Sequence, residues 1–300
     1  MKIEFQIRNN PFNQVELYFG DKKRFSTLTS VVLLTPNLLV VCSYYSRQIF
    51  LISFDINLNS YQILDTKYTY SNKLIVSTDL IDYNGEYIVT SNFMSRSISM
   101  YKIINNKIIF IKSISNINLG YHHGVKFYPK DKNIIFFTTS GTKNKKCGIY
   151  AINLEDKKPI PFLSITENNM LTKDVCFSED FMYGIYSENA PKSTDKVFYS
   201  SKVVKYEFSL EKMETKVKEL ILPECHVDCI QYYKNKIYIT VEDIKTNGFI
   251  YELDENLNLL RKLGNFSFPH GLDIKFNMFA ITEYGTSTLT LINENDFINS

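Results

Sequence analysis

The chain has 300 residues, 44% hydrophobic and 22% charged, the proportions of a globular protein. Its net charge of +2, with acids and bases mixed along the chain, excludes a nucleic-acid-sized electrostatic footprint. No apolar run reaches the roughly 18 residues that a membrane helix needs, and the absence of Trp removes the hallmark of a WD-type repeat.

The first residues, MKIEFQIR, alternate apolar and polar positions and include Glu4, unlike the continuous apolar core of a secretory signal. Together with an odd number of cysteines, Cys42, Cys147, Cys176, Cys225 and Cys229, this reads as a cytoplasmic protein with reduced thiols. Cys225 and Cys229 flank His226 and Asp228 but are not a CxxC pair, so a structural zinc there is the lesser reading.

From there a phrase recurs along the chain: a small or polar residue, a branched apolar residue opening a strand, a short turn, then a second strand ending in polar residues. Its anchors are Val31, Leu80, Val125, Val175, Val227 and Leu272, with a period inside the ~40 to 50 residues of propeller blades. The second unit resolves into Thr78 to Asp82, Tyr87 to Asn92, Ser97 to Ile103 and Lys107 to Ile114. Asn84 with Gly85, and Asn105 with Asn106, supply its turns. The third unit reads as Gly124 to Tyr128, Ile134 to Thr139, Gly148 to Asn153 and a strand near Ile160 to Ser164. Leu210 to Leu220 fits an outer strand as well as a helix. The last unit has room for three strands only, and Val15 to Phe19 lies at the offset of an outer strand. The reading is an all-β, six-bladed β-propeller of four-stranded antiparallel blades. It forms one domain over residues 1–300, closed by an N-terminal strand completing the last blade. A β-sandwich pair or an open solenoid is the alternative.

In an antiparallel pair the start of the first strand lies beside the end of the second. Strand starts collect Thr78, Asp79, His122, His123, Lys173, Asp174, His226, Asp228 and His270. Second-strand ends collect Asn92, Ser140, Glu188, Asn189, Glu242, Asp243 and Glu283. Charge of this density is not buried without partners, which points to a polar pocket at one end of the ring. Imidazole is the commonest metal ligand and titrates near neutrality, so His123, His226 and His270 are candidate ligands for one ion. The competing reading has the histidines before Gly124 and Gly271 bonding backbone between blades, the glycines permitting a tight strand entry. Acid/base or substrate contact is a third.

The phrases Tyr121 His122 His123 Gly124 Val125 with Tyr128 Pro129 Lys130 Asp131, and Pro269 His270 Gly271 Leu272 with Ala280 Ile281 Thr282, resemble repeats of the YVTN and NHL-like propeller superfamily. That superfamily includes gluconolactonase-like and amidating-lyase-like enzymes. The resemblance implies a propeller over the whole chain and, from the amidating-lyase branch, a zinc held by three histidines of different blades. From the gluconolactonase-like branch it implies calcium or magnesium on Glu, Asn and Asp, for which Glu188, Asn189, Asp228 and Glu283 are available. The first blade carries Thr29 and Ser30 where that branch has its glutamate.

Arg47 and Arg96 repeat a Ser, Arg, x, Ile pattern 49 positions apart, with Lys143, Lys145 and Lys146 in the corresponding third loop. Such groups favour carboxylate or phosphate. Glu188 to Val203, with Asn189, Pro191, Asp195 and Tyr199, has the length of a flap. The sequence therefore predicts a metal-dependent hydrolase, lactonase-like, or a lyase, acting on a small anionic metabolite or sugar derivative. His123, His226 and His270 hold a zinc, calcium or magnesium ion. Glu188, Glu283 and His123 are the catalytic candidates, and Arg47, Arg96, Asn92, Asp79 and Glu242 contact substrate. No nucleotide-binding glycine loop occurs, so no nucleotide cofactor is expected, and neither nucleic acid nor membrane is an expected partner. The alternative is a non-catalytic ligand-binding or protein-interaction propeller scaffold.

Overall fold

A computed structural model describes residues 2–6, 17–19, 22–24, 28–115, 119–140, 147–156, 163–165, 170–188, 200–210, 212–243 and 248–298. Among them are six four-stranded antiparallel sheets, the blades of an all-β, six-bladed β-propeller. Blade 1 comprises Leu28–Thr35, Leu38–Ser43, Gln48–Asp55 and Ser60–Tyr68. Blade 2 comprises Ile81–Tyr83, Tyr87–Asn92, Ser97–Ile104 and Lys107–Ser115. Blade 3 runs through Tyr121–Tyr128, Asp131–Ser140, Gly148–Asn153 and Leu163–Ile165. Blade 4 is built from Met170–Phe177, Phe181–Glu188, Ser200–Ser209 and Lys212–Pro223, so the segment that also fitted a helix is an outer strand. Blade 5 follows as Cys225–Tyr233, Lys236–Asp243, Gly248–Asp254 and Leu259–Phe266.

Blade 6 takes Pro269–Lys275, Met278–Glu283 and Thr288–Asn293 from the C-terminal region, and its fourth strand is Lys2–Gln6. Closure by an N-terminal strand is as expected, but the strand is not the one expected. Lys2–Gln6 pairs with Thr288–Asn293, Ile3 opposite Leu291 and Phe5 opposite Leu289. Leu17–Phe19 instead pairs with Lys22–Arg24 in a small hairpin. Val15 to Phe19 has the offset of the other outer strands, but Lys2 to Gln6, further upstream of Val31, alternates as cleanly, and the connection to blade 1 is longer than those between the other blades. A five-residue helix, Glu294–Ile298, follows the last strand and packs Phe297 against Phe266 and Phe279.

The chain divides into two compact units, Met1–Asn116 with Phe266–Ser300, and Ile117–Asn265. The first holds blades 6, 1 and 2, and the second blades 3, 4 and 5. In each, the two faces of a blade bury against different neighbours, because successive side chains of a strand point to opposite faces. Val31, Leu33 and Val41 pack toward blade 6 with Ala280, Leu289 and Leu291, while Val32, Val40 and Leu51 pack toward blade 2 with Ile81, Ile88 and Tyr101. In the second unit Phe136 and Ile149 meet Val175, Tyr186 and Val204, and Tyr183, Ile185 and Val203 meet Val227, Ile239 and Leu253. Carboxylates join neighbouring first strands: Asp273 Oδ2 accepts from the Leu33 amide at 2.7 Å, and Asp174 Oδ2 from that of Ile230 at 3.2 Å. Two-residue turns at Asn105 and Asn106, Lys234 and Asn235, and Phe276 and Asn277 take positive φ at both positions, the geometry that continues strand twist.

Among the described residues no helix is long and apolar enough to cross a membrane. The loop lysines Lys143, Lys145 and Lys146, and the flap residues Asn189, Pro191, Asp195 and Tyr199, lie outside the described residues.

Candidate functional site

Five first strands are interrupted near their start by a β-bulge, where the chain carries one residue more than its partner, and blade 2 has a similar doubling just ahead of its first strand. In blade 1 Thr29 is the extra residue, between the pairs Leu28 with Ser43 and Ser30 with Cys42. Lys173 is extra in blade 4 and His270 in blade 6. In blade 3 His123 and Gly124 stand opposite Thr138, and in blade 5 Asp228 and Cys229 opposite Thr240. In blade 2 both Asp79 and Leu80 bond the backbone of Ser91. A bulge frees one side chain from the alternation and re-aims it. The six residues so released are Thr29, Asp79, His123, Lys173, Asp228 and His270, five of them polar groups able to ionise.

In four of the blades a facing hydroxyl accepts from the amide beside the bulge. Gly124 N donates to Thr138 Oγ1 at 2.6 Å, Cys229 N to Thr240 Oγ1 at 2.9 Å, Gly271 N to Thr282 Oγ1 at 2.8 Å and Leu80 N to Ser91 Oγ at 2.9 Å. The bulge carbonyl of one blade then accepts from the blade before it. His123 Nδ1–H donates to Lys173 O at 2.9 Å, and His270 Nδ1–H to Thr29 O at 2.8 Å. The backbone role foreseen for these histidines is therefore present. It fixes the tautomer, because a carbonyl only accepts, and it leaves each Nε2 with its lone pair, as in imidazoles oriented to bind a metal.

In the second unit His123 Nε2 accepts from Lys173 Nζ at 3.3 Å and lies 3.4 Å from Asp228 Oδ1. Lys173 Nζ donates to Asp228 Oδ1 at 2.9 Å, and His226 Nε2 meets the same oxygen at 3.1 Å. Lys173 and Asp228 are 7% and 3% exposed, so this is a buried ion pair bracketed by two imidazoles. Burial, and then the Lys173 charge, hold His123 below the usual imidazole range against the pull of Asp228. Burial likewise lowers His226. Both are thus neutral imidazoles at pH 7. Glu242 stands opposite His226 in the ladder, and His226, Asp228 and Glu242 each offer a ligand atom within 4.8 Å of the others. One imidazole and two carboxylates form a donor set that a divalent ion accepts, so these residues fit such an ion.

In the first unit His270 Nε2 lies 3.6 Å from Asp79 Oδ1, both side chains being buried. In the second unit His123 and His226 meet around Asp228, and in the first His270 pairs with Asp79. His122 is buried with its ring 4.8 Å from Phe137.

Other expected residues fall elsewhere. Asn92 Oδ1 accepts from Thr78 and Thr90, and its Nδ2 donates to Ser97 and Ser99, so its amide is engaged within blade 2. Glu283 accepts from the Ser267 amide at 2.8 Å and from Thr290 at 2.6 Å, which engages both oxygens. Glu188 is exposed at the end of its strand opposite Met170. Arg47 and Arg96 occupy equivalent turn positions with φ of 57° and 53°. Lys173 stands among the strand starts in the sequence, but a single lysine there carries no sign that its ammonium turns inward onto Asp228.

No protein-family model matches the sequence, and no curated protein matches it. Solved structures do. A Lactobacillus plantarum protein aligns at TM-score 0.64 and 11% identity over 97% of this chain and 91% of its own. A candidate 6-phosphogluconolactonase of Bacteroides uniformis aligns at 0.59 and 14%, over 90% of this chain and 83% of its own. One of Bacteroides fragilis aligns at 0.53 and 15%, over 89% and 83%. At these identities the likeness is one of fold.

Proposed function

We propose that the protein is a metal-dependent hydrolase of the lactonase type, acting on a small anionic sugar derivative at the His226, Asp228 and Glu242 cluster. The observation that carries this reading is the convergence of three metal-capable side chains beside the buried Lys173 ammonium. A divalent ion there would supply Lewis-acid polarisation of an ester carbonyl and a more acidic water. Lys173 contributes a fixed positive charge for the anionic group of the substrate or for the oxyanion that develops on the carbonyl oxygen. His123 positions Lys173 from two sides, through its Nδ1–H on the Lys173 carbonyl and its Nε2 lone pair on the ammonium. Asp228 aligns His226 and offsets the cost of burying Lys173. Glu188, exposed at the end of the second strand of the blade that carries Lys173, is the catalytic carboxylate of this reading. The candidate lactonases among the structural neighbours suggest 6-phosphogluconolactone as the first substrate to try.

The test pairs metal analysis with hydrolysis of that lactone. About one divalent ion per chain is expected, with His226→Ala and Glu242→Gln each lowering occupancy and reducing kcat by roughly 100-fold. Lys173→Met should raise KM for the phosphorylated lactone more than for the unphosphorylated one. Metal-free protein with unchanged hydrolysis in His226→Ala would overturn the reading.

A further inference from the structure

We infer that the first unit carries a second ligand site, a binding arc for a small planar aromatic anion, which does not depend on the hydrolase reading. The residue directly after the second strand is aromatic in all three blades of this unit: Tyr44 after Ser43, Phe93 after Asn92 and Tyr284 after Glu283. These rings form a continuous series with Tyr45. Phe93 and Tyr44 lie 6.4 Å apart, Tyr44 and Tyr45 4.9 Å, and the Tyr45 and Tyr284 hydroxyls meet at 3.1 Å. Tyr284 in turn stacks on His270 at 5.6 Å and 23°, and His270 faces Asp79.

All four aromatic residues are half-buried, in a part of the blade where turns ordinarily carry small polar residues. An aromatic face left partly in contact with water is a surface for another ring, since offset and edge-on contacts between rings add to simple burial. The same turns bring Arg47 and Arg96, whose guanidinium groups suit a carboxylate. Beside Tyr44 and Tyr45, the Ser43 and Ser46 hydroxyls are buried with no hydrogen-bond partner among the described residues.

Hydrogen-bonding capacity separates a flat arene from a sugar. A polyhydroxylated ring needs side-chain amides and carboxylates for its hydroxyls. Asn92 and Glu283, which end the second strands just before the aromatic residues, have their polar atoms engaged within their own blades. What the arc offers is mainly ring faces with cationic side chains in the same turns, matching an aromatic carboxylate.

The experiment is ligand-observed NMR and calorimetry on the full chain with benzoate, cyclohexanecarboxylate, benzyl alcohol and D-gluconate. Saturable benzoate binding, roughly fivefold tighter than cyclohexanecarboxylate, is expected. Tyr44→Ala and Tyr284→Ala should each weaken benzoate about tenfold, while Tyr44→Phe stays within about threefold of the parent. Arg47→Met with Arg96→Met should weaken benzoate and leave benzyl alcohol unaffected. His226→Ala should leave benzoate binding intact, which separates this site from the hydrolase centre. Gluconate displacing benzoate from the His226→Ala protein, or benzoate binding unmoved in Tyr→Ala variants that melt like the parent, would overturn the inference.

Discussion

Gly124 and Gly271 lack side chains because backbone from the next blade occupies the space. A Cβ on Gly124 would sit 2.8 Å from Lys173 O and 2.9 Å from Asp174 Cα, and one on Gly271 2.5 Å from Ser30 Cα and 2.6 Å from Thr29 O. Backbone cannot swing aside, so these contacts are relieved only by moving one first strand from the next. That same approach brings each preceding histidine onto its carbonyl. Gly124→Ala and Gly271→Ala should each cost about 1–3 kcal/mol or more. In Gly85→Ala the new methyl meets nothing within 4 Å, and only the φ of +95° opposes it, at about 1 kcal/mol. Urea midpoints followed by circular dichroism would rank the three, and a milder effect at Gly271 than at Gly85 would refute the close-approach account. Asp174 gives a pH signature at the same junction. Burial raises its carboxyl above the ordinary value, outweighing Lys126, the Val175 and Ile230 amides and His123. The folded state therefore holds this proton more tightly than the unfolded chain, so stability falls as pH climbs from the ordinary carboxylate range through the raised value. Asp174→Asn keeps an acceptor for Ile230 and removes the charge. Its stability relative to the parent should be greater at pH 7 than at pH 4, and an equal difference at both would show that the carboxyl is not destabilised.

At the scale of the strand, the sequence was legible where burial follows period and opaque where a bulge interrupts it. The six anchors are all 2% exposed or less, and the Asn105 and Asn106 turn lies where its residue types place it. The apolar run defines these features by itself. The bulge does not announce itself, because one added residue is absorbed into the variable spacing between blades. Only a register shows that His270, and not Pro269 or Gly271, is the residue released. Lys173 and Asp228 stood among the strand starts, but their pairing joins two blades and depends on how far each bulge turns its side chain. For Asn92 and Glu283, a substrate-contact and a catalytic candidate, the sequence hides the converse. Their polarity looked uncompensated in sequence, whereas Ser97, Ser99, Thr290 and the Ser267 amide supply partners through the folded strands. The aromatic residues after the second strands do not stand out in the sequence, because aromatic residues are common throughout the chain.

Across the whole molecule one pairing differs in kind from the rest. Within each blade a strand pairs with the next along the chain, whereas Lys2–Gln6 pairs with Thr288–Asn293, almost the full sequence away. Loop-closure entropy grows as the logarithm of loop length, so joining ends near 290 residues apart rather than about 10 adds roughly 3 kcal/mol. That cost is met only when the intervening blades already hold the two segments close, which places this pairing after the rate-limiting step of folding. Interactions absent from the transition state govern the rate of unfolding. Removing residues 1–6 should therefore speed unfolding by about tenfold or more and leave the folding rate within about twofold. The truncation also bares the Thr288–Asn293 edge, whose free amides and carbonyls can pair with another chain, so the variant should self-associate more than the parent. Stopped-flow urea jumps and light scattering would measure both effects. A truncated chain that folds tenfold more slowly and unfolds at the parent rate would place the terminal strand in the folding nucleus and reverse this order of assembly.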